Sequence, residues 1–372
     1  MRIRPGSWLI AITLVLLASP LPSPATAATS PVRPLFSLSD PRISEASGLA
    51  VGHRSPSVLY LHNDSGDSAR FFAVDARTGR TRAVYQLPGA RNLDWEDLAT
   101  GPDQRGVASV WLADIGDNDA LRSEVQLYRV DEPAVDERAV DERAVAEPAE
   151  LTTGRPQLWR LRYPDGPHDA ESLIADPVRH RLYLITKSLF GRSELFEVPA
   201  SPDPSRVQAL SQVGTLSFGL TGTPGGPNPI GQLTATGASI SADGSLVAVR
   251  TYTDAYLWPV SDGDLAAALR RPPTRIALPP QRQGEGIAFG AGGLLVDSEG
   301  VDSPVYRVLL PHISRPAAPS PTGSPSRAEP AASPAAAHRG SSNGQRLLLI
   351  AFGAALATTA ALLSRNLRRR RR

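Results

Sequence analysis

The chain contains no cysteine in 372 residues, which excludes disulfides, thiolate metal sites and a lipid anchor attached through an N-terminal cysteine. None of the six histidines has a metal-ligand spacing, and neither a Gly-x-Ser-x-Gly turn nor a phosphate-binding glycine loop is present. No cell-wall sorting motif of the Leu-Pro-x-Thr-Gly kind precedes the C-terminus. The stability of the folded part must therefore come from its apolar core alone.

Long apolar runs occur only near the two ends. Arg2 and Arg4 precede an apolar run over residues 8–18, and Ala25-Thr26-Ala27 has the small-x-small form of a signal-peptidase site, which predicts a signal peptide over residues 1–27. Residues 347–363 are uncharged and, as a helix, would span about 26 Å, which predicts a transmembrane helix over residues 346–364.

The arginine-rich segment 365–372 follows this helix, and positive charge beside a membrane segment stays on the cytoplasmic side. The sequence thus predicts a single-pass protein of the cell membrane with an extracellular N-terminal domain. Nine of the 39 basic residues lie beside the two apolar runs, which leaves 30 basic against 37 acidic residues in the exported part. That negative balance argues against a nucleic-acid partner.

Between the two ends, composition separates a folded segment from a stalk. Residues 314–344 consist mainly of Pro, Ala and Ser, which bury too little apolar surface to fold. Residues 34–311 are predicted to form the folded domain. Within it, residues 134–149 repeat Ala-Val-Asp-Glu-Arg in tandem, as expected for an expanded loop.

The folded segment contains an internal repeat with a period near 50 residues. Each copy has a small or acidic residue before an apolar pair, then an apolar strand with a polar end, then a strand containing an aromatic residue. The copies begin at Ser47, Glu96, Glu171, Ala238 and Glu285. Four short antiparallel strands per repeat form a blade of a β-propeller, so the sequence predicts an all-β fold with a single propeller.

We predict five blades, with six as the alternative if residues 218–233 contain another. The last copy lacks a fourth strand, and residues 35–38 before the first copy can supply it, which closes the ring and removes the exposed sheet edge. Tyr60, Trp111 and Tyr183 share one repeat position and are predicted to pack between blades.

Polar loops are predicted to gather on one face of the propeller. Loops after the second strand of each blade and loops that enter the next first strand share that face. The candidate ligand-binding residues there are Asn63, Asp64, Asp114, Lys187, Arg250 and Asp297.

At the start of the repeats, three carboxylates are expected to meet at the axis of the ring. Crowded carboxylates raise one another's pKa or bind a cation, and an oxygen-only site suits Ca²⁺. The predicted metal ligands are Ser47, Glu96, Glu171 and Glu285. In the alternative, each Glu caps backbone amides or pairs with one of the cations Arg91, Lys187, Arg250 and Arg282.

Several sequence segments resemble those of exported β-propeller proteins of high-GC Gram-positive bacteria, namely residues 45–50, 62–66, 94–99 and 114–118. The resemblance extends over residues 35–310 and implies no particular activity. The order of Ser and Glu at the blade starts is also similar to that of calcium-dependent apyrases, five-bladed propellers with an axial cation. Ala238 departs from that pattern and would leave one ligand position empty.

Two functional hypotheses follow. The first is a surface-anchored propeller that binds an extracellular small molecule or protein on its polar face, around an axial Ca²⁺. The alternative is a Ca²⁺-dependent phosphohydrolase in which Lys187 and Arg250 hold phosphate and Asp64 or Asp114 orients the attacking water. The sequence leaves open whether the protein is an enzyme.

Overall fold

The structure, a computed structural model, describes residues 27–28, 31–135, 147–201 and 203–313. The predicted signal peptide apart from its last residue, most of the tandem expansion, and the predicted stalk, transmembrane helix and arginine-rich tail lie outside the described residues. The described residues include no helix with the length and apolar character needed to cross a membrane.

The described chain is almost entirely β-structure. The strands are, in chain order, β1 (Ala27–Ala28), β2 (Val32–Ser37), β3 (Ala46–Val51), β4 (Val58–Asn63), β5 (Arg70–Asp75), β6 (Thr81–Gln86), β7 (Trp95–Pro102), β8 (Ala108–Asp114), β9 (Val125–Asp131), β10 (Ala149–Thr152), β11 (Gln157–Arg162), β12 (Ala170–Asp176), β13 (Arg181–Thr186), β14 (Arg192–Glu197), β15 (Val207–Ala209), β16 (Ser211–Ser217), β17 (Ala235–Ile240), β18 (Leu246–Thr251), β19 (Asp254–Pro259), β20 (Thr274–Ala277), β21 (Ile287–Gly290), β22 (Gly293–Val296) and β23 (Pro304–Val308). The helices among the described residues are a 3-10 turn, Pro229–Leu233, and one α-helical turn, α1 (Leu265–Leu269).

These strands form five sheets, each of which is one propeller blade. Blade 1 contains β3 to β6, blade 2 contains β7, β8, β9 and β11, and blade 3 contains β12, β13, β14 and β16. Blade 4 contains β17 to β20, and blade 5 contains β21 to β23 together with β2. The innermost strands β3, β7, β12, β17 and β21 each contact the next one around the ring. The predicted all-β, five-bladed architecture is therefore confirmed.

The ring closes as predicted. Strand β2 pairs antiparallel with β23, with Val32 opposite Val308, and so supplies the fourth strand of blade 5. The six-blade alternative is wrong because residues 218–233 form a connection between blades 3 and 4 that includes the 3-10 turn. Since the closed ring and its core lie within residues 31–313, this segment is a complete folding unit.

Three outer strands were not predicted. Strand β10 pairs parallel to β6, β15 pairs parallel to β11, and β1 pairs parallel to β20. Each covers the exposed edge of a fourth strand, where an unpaired row of backbone groups would otherwise face solvent.

The core lies between neighbouring blades. Tyr60 of blade 1 packs with residues of β7 and β8, Trp111 of blade 2 packs with Leu173 of blade 3, and Tyr183 of blade 3 packs with Val247 of blade 4. All three aromatic side chains are buried, which confirms the predicted packing position. Burying an aromatic side chain of this size contributes about 2–3 kcal/mol.

The propeller has two unlike faces. We call the face with the second-to-third-strand loops and the loops entering the first strands the rim face, and the other the base face. Alternating strand direction places the start of β2 and the end of β23 on the base face. The chain thus enters and leaves the ring on the side away from the polar loops.

Candidate functional site

The innermost strands share an irregularity that turns one side chain out of the regular alternation. The register shifts between Ala46 and Gly48 in β3, between Trp95 and Asp97 in β7, and at the corresponding places in β12 and β17. Such a bulge leaves one residue unpaired and re-aims its side chain. The bulged residues are Ser47, Glu96, Glu171 and Thr236.

This register corrects the alignment of blade 4. The residue equivalent to Ser47 is Thr236, not Ala238, and Ala238 instead lies in the core between blades 3 and 4. The Thr236 hydroxyl donates to the Gly284 carbonyl at 2.9 Å, as the Ser47 hydroxyl donates to the Glu96 carbonyl at 2.6 Å. Blade 4 therefore supplies an oxygen at the axis, and the predicted gap in the ring does not exist.

The axial position of blade 5 is Glu285, which directly precedes Gly286. A Cβ atom at Gly286 would lie 2.6 Å from the Leu49 Cβ atom of blade 1, and one at Gly48 would lie 2.6 Å from the backbone nitrogen of Leu98 in blade 2. Glycine after the axial residue thus permits the close approach of neighbouring blades. The ring of axial residues consists of three carboxylates and two hydroxyls.

The carboxylates from different blades converge. One oxygen each from Glu96, Asp169 and Glu171 lie within 4.8 Å of one another, and the same holds for Asp64, Asp94 and Glu96. Burial, followed by the nearby Glu171 charge, raises the pKa of Glu96 well above its usual value. Burial raises the pKa of Glu171 to about 8. Such a cluster is unfavourable when fully ionised unless a cation neutralises it.

Lys187 is the cation within this cluster. Its ammonium group forms an ion pair with Glu171, which is the pairing proposed in the alternative to a metal site. Burial lowers the pKa of Lys187, but the adjacent Glu171 and further acidic groups outweigh burial and raise it. One lysine faces several carboxylates, so it cannot balance them all.

Glu285 has no such partner. Its side chain is 3% exposed, and its Oε2 atom has no hydrogen-bond partner among the described residues. Burial and then the charge of Glu171 raise its pKa well above the usual value. A buried, unpartnered carboxylate oxygen is costly unless a ligand satisfies it.

A second group of carboxylates lies on the rim-face loops near the axial residues. Burial raises the pKa of Asp94 to about 6 and that of Glu299 to about 7, and it raises the pKa of Asp64 and Asp169. Asp169 accepts a hydrogen bond from the backbone N–H of Asp117 at 2.8 Å. Burial and the neighbouring negative charges therefore raise the pKa values of this whole group of carboxylates.

Asp97 closes the axis below Glu96 and was not identified from the sequence. Its carboxylate accepts backbone hydrogen bonds from Leu98 and Leu173, both at 2.8 Å, and from Ala238 at 3.4 Å. It thereby connects the inner strands of blades 2, 3 and 4. The signal is the alignment of the repeats, where the residue after the axial position is Gly or Ser in every other blade and leaves room for this side chain.

Some predicted ligand-binding residues have structural partners instead. The Asn63 side chain accepts from the N–H groups of Ser44 and Glu45 and donates to the Arg42 carbonyl at 2.7 Å, so it shapes the β2–β3 loop. Asp114 is fully buried and pairs with Arg122 at 2.9 Å. Asn63 thus has backbone partners in a neighbouring loop, and Asp114 is enclosed beside Arg122.

The Arg250 side chain also has structural partners, and it lies in the interior of the propeller. Its guanidinium is fully buried and donates to the carbonyls of Gly286 at 2.7 Å and Asp297 at 3.1 Å, and burial lowers its pKa to about 10. A phosphate-holding role does not fit this position. Asp297 beside it accepts from the Gly286 N–H at 2.9 Å, and burial raises its pKa to about 7.

Tyr252 lies on the loop between β18 and β19, close to Gly226 and Gly231. Burial and then the charges of Glu285 and Glu171 raise the pKa of its phenol, which indicates that the hydroxyl lies near the axial carboxylates. His62, by contrast, is a buried structural residue. Its Nδ1 atom lies 2.9 Å from the Asn63 carbonyl, and burial lowers its pKa to about 4.

Known proteins show only distant structural similarity to this chain. No protein-family model and no curated sequence matches the chain. Among solved structures it is similar to a gluconolactonase from Xanthomonas campestris, with 13% identity, a TM-score of 0.39, and coverage of 75% of this chain and 90% of the other. It is also similar to a chain of the mitotic checkpoint complex, with 11% identity, a TM-score of 0.33, and coverage of 72% and 64%.

Proposed function

We propose that this protein binds a Ca²⁺ ion at the axial carboxylates of the rim face and, through that ion, an extracellular ligand. The observation that carries the proposal is the convergence of Glu96, Asp169 and Glu171 within 4.8 Å, together with the unpartnered oxygen of Glu285. The excess of acidic residues in the exported part supports a small-molecule or protein ligand over a nucleic acid.

Calcium suits the site because its candidate donors are all oxygens. Ca²⁺ accepts six to eight oxygen ligands in flexible geometry, whereas Zn²⁺ prefers nitrogen and sulfur ligands that this cluster lacks. A bound ion would replace the protons that the raised pKa values retain at Glu96, Glu171 and Glu285. The similarity to calcium-dependent apyrases supports the same assignment.

A thermal melt of residues 27–313 in EDTA and then in Ca²⁺ tests the proposal. We expect Ca²⁺ to raise the Tm, because an ion that binds only the folded state stabilises it, by about 2.7 kcal/mol at one hundred times its Kd. Glu171→Gln should lose this increase. Glu124→Gln, which alters an outer carboxylate paired with Arg160, is the matched control and should keep it. Equal melts with and without Ca²⁺ would refute the proposal.

A Ca²⁺-dependent phosphohydrolase is the second candidate. Asp64 and Asp94 lie beside Glu96, and an Asp94 pKa of about 6 suits proton transfer near neutral pH. In this scheme Asp64 orients the attacking water and Lys187 holds the phosphate. Hydrolysis of ATP and p-nitrophenyl phosphate, measured with Ca²⁺ and with EDTA, tests it, with Asp64→Asn as the variant expected to lose activity.

We also propose that the propeller is displayed at the cell surface on a single transmembrane helix. The chain leaves the ring on the base face, and the predicted stalk and helix follow residue 313. Protease treatment of intact cells should release the propeller. Protection of the propeller until the cells are lysed would contradict this topology.

A further inference from the structure

Lys187 is the only lysine of the chain, beside 38 arginines. It begins the loop between β13 and β14, and its ammonium group reaches the axial carboxylates from there. Lysine and arginine differ in the compactness of the charged group, and a lysine acts on phosphate as a point charge. The candidate site thus contains a compact ammonium group in a chain whose other Lys/Arg positions are all arginine.

The same loop carries exposed apolar side chains. Leu189 is 56% exposed and Phe190 is 83% exposed, and Leu220 and Ile230 on the connection between blades 3 and 4 are 71% and 49% exposed. Elsewhere among the described rim loops, the exposed large apolar residues occur singly, at Leu93, Leu121 and Val301. We call the four residues Leu189, Phe190, Leu220 and Ile230 the apolar wall.

The two loops that form the apolar wall contact each other. The Phe218 N–H donates to the Gly191 carbonyl at 2.7 Å, and Gly191 has a φ of +74°. A Cβ atom at Gly191 would lie 2.3 Å from the Phe218 carbonyl oxygen, so only glycine permits this approach. This close backbone contact holds the Lys187 loop beside the start of the connection.

The connection itself is held in place by buried polar contacts. The hydroxyls of Thr221 and Thr223 both donate to the Asp254 carboxylate at 2.8 Å, and the Gly226 N–H donates to the Gln281 carbonyl at 2.7 Å. Asp254 is fully buried. The exposed apolar side chains thus project from a preformed support, and a preformed surface binds with a smaller entropy cost.

We propose that the ligand of the cation site is a phosphate monoester with an aliphatic or aromatic body that lies on the apolar wall. This inference rests on the proposed Ca²⁺ site. The three free oxygens of a phosphate monoester can contact both the cation and the Lys187 ammonium, whereas a carboxylate has only two. Burial of the apolar body on Phe190 and Leu220 stabilises the complex by about 25 cal/mol per Å² of apolar surface removed from water.

Calorimetric titration of the Ca²⁺-loaded segment 27–313 tests this proposal with octyl phosphate, inorganic phosphate and octanoate as probes. We expect octyl phosphate to bind at least about tenfold more tightly than either other probe, because it alone offers both a phosphate and an apolar chain. The double variant Phe190→Ser and Leu220→Ser should lose most of this preference, and Lys187→Met should weaken both phosphate probes.

The matched control is Val178→Ser, because Val178 is also 56% exposed but lies on the base face. This variant should bind octyl phosphate as the unaltered protein does. Equal affinity for octyl phosphate and phosphate, an equal loss in the control, or octanoate binding as tight as that of octyl phosphate would overturn the proposal. Ca²⁺ titration of the same samples separates the two proposals: failure of the ion to bind would refute the cation site itself.

Discussion

Carboxylates on the two faces of this propeller have opposite environments. On the base face, Asp75 accepts from the N–H groups of Arg77 at 2.9 Å and Thr78 at 2.8 Å, and its hydrogen-bond partners outweigh burial and lower its pKa. Asp103 also has a lowered pKa, through the N–H groups of its own turn and the arginines beside it. At the axis, Glu96, Glu171 and Glu285 have raised pKa values.

The difference shows why a count of acidic residues does not locate a site. Base-face aspartates are satisfied by the turn that carries them, so their charge stabilises the fold. The axial carboxylates come from separate blades, and the closure of the ring brings them together with too few donors. Ionising them costs stability, and a ligand that supplies positive charge removes that cost.

The largest effect that we predict concerns a buried carboxylate that is fully satisfied. Asp254 accepts from three threonine hydroxyls and from Arg275 at 2.6 Å. Asp254→Ala should lower the free energy of unfolding by about 3–5 kcal/mol, because it leaves Arg275 without its partner. Urea denaturation measures this loss, and Asp254→Asn should show a smaller one. A loss below about 1 kcal/mol would show that Asp254, like the axial carboxylates, contributes little to stability through its partners.

A base-face substitution should have an intermediate effect. Asp75→Ala removes acceptors for two backbone N–H groups and the partner of Arg82. We expect a loss of about 1–2 kcal/mol in the free energy of unfolding, with or without Ca²⁺. The same urea experiment measures it, and an increase in stability would contradict the contrast between the faces.

The stability of the fold should depend on pH because the axial carboxylates have raised pKa values. Because the folded pKa of Glu171 is about 8, above its value near 4.5 in the unfolded chain, its contribution is fully present below pH 4.5 and is lost as the pH rises through 8. The Tm in EDTA should therefore fall between pH 5 and pH 9.

Glu96→Gln supplies the matched comparison for this pH series. The variant should raise the Tm more near pH 9 than near pH 5, because burial and the Glu171 charge disfavour the ionised form of Glu96. A Tm in EDTA that rises from pH 5 to pH 9 would show that the axial carboxylates are stably ionised without a cation.

The smallest effect tests the corrected position in blade 4. Thr236→Val removes the hydrogen bond to the Gly284 carbonyl while keeping the shape of the side chain. We expect a loss of about 1 kcal/mol in the free energy of unfolding. Ser47→Ala is the equivalent substitution in blade 1 and should cost a similar amount, since its hydroxyl donates in the same way. Unequal losses would argue against the equivalence of the two residues.

Much of the fold was predictable because each repeat contains its own strand pattern. The predicted repeat starts Ser47, Glu96 and Glu171 lie in the innermost strands β3, β7 and β12, and the closing strand was expected from residues 35–38. The parallel outer strands were missed because β10 and β15 join blades to which they do not belong in sequence order. Edge pairing of that kind depends on which loops lie nearby in space.

The candidate site was predictable only in part. Glu96, Glu171 and Glu285 were identified from repeat position, but Thr236 was missed because residues 238–241 were aligned with the repeat phrase, a shift of two residues. The bulge in β17 that corrects this shift is visible only in strand pairing. Arg250 was expected at the rim because charge indicates exposure, yet backbone carbonyls from the neighbouring blade hold it in the interior.

The measurement that tests the cation site most directly is a calorimetric titration of Ca²⁺ into residues 27–313 at pH 7, carried out in two buffers of different ionisation enthalpy. We predict one saturable site and the release of protons into the buffer on binding, because the axial carboxylates retain protons until the ion displaces them. Glu124→Gln should behave identically, and Glu171→Gln should abolish the signal. The absence of any heat of binding would contradict the site described here. So would binding that releases no protons and that persists in Glu171→Gln.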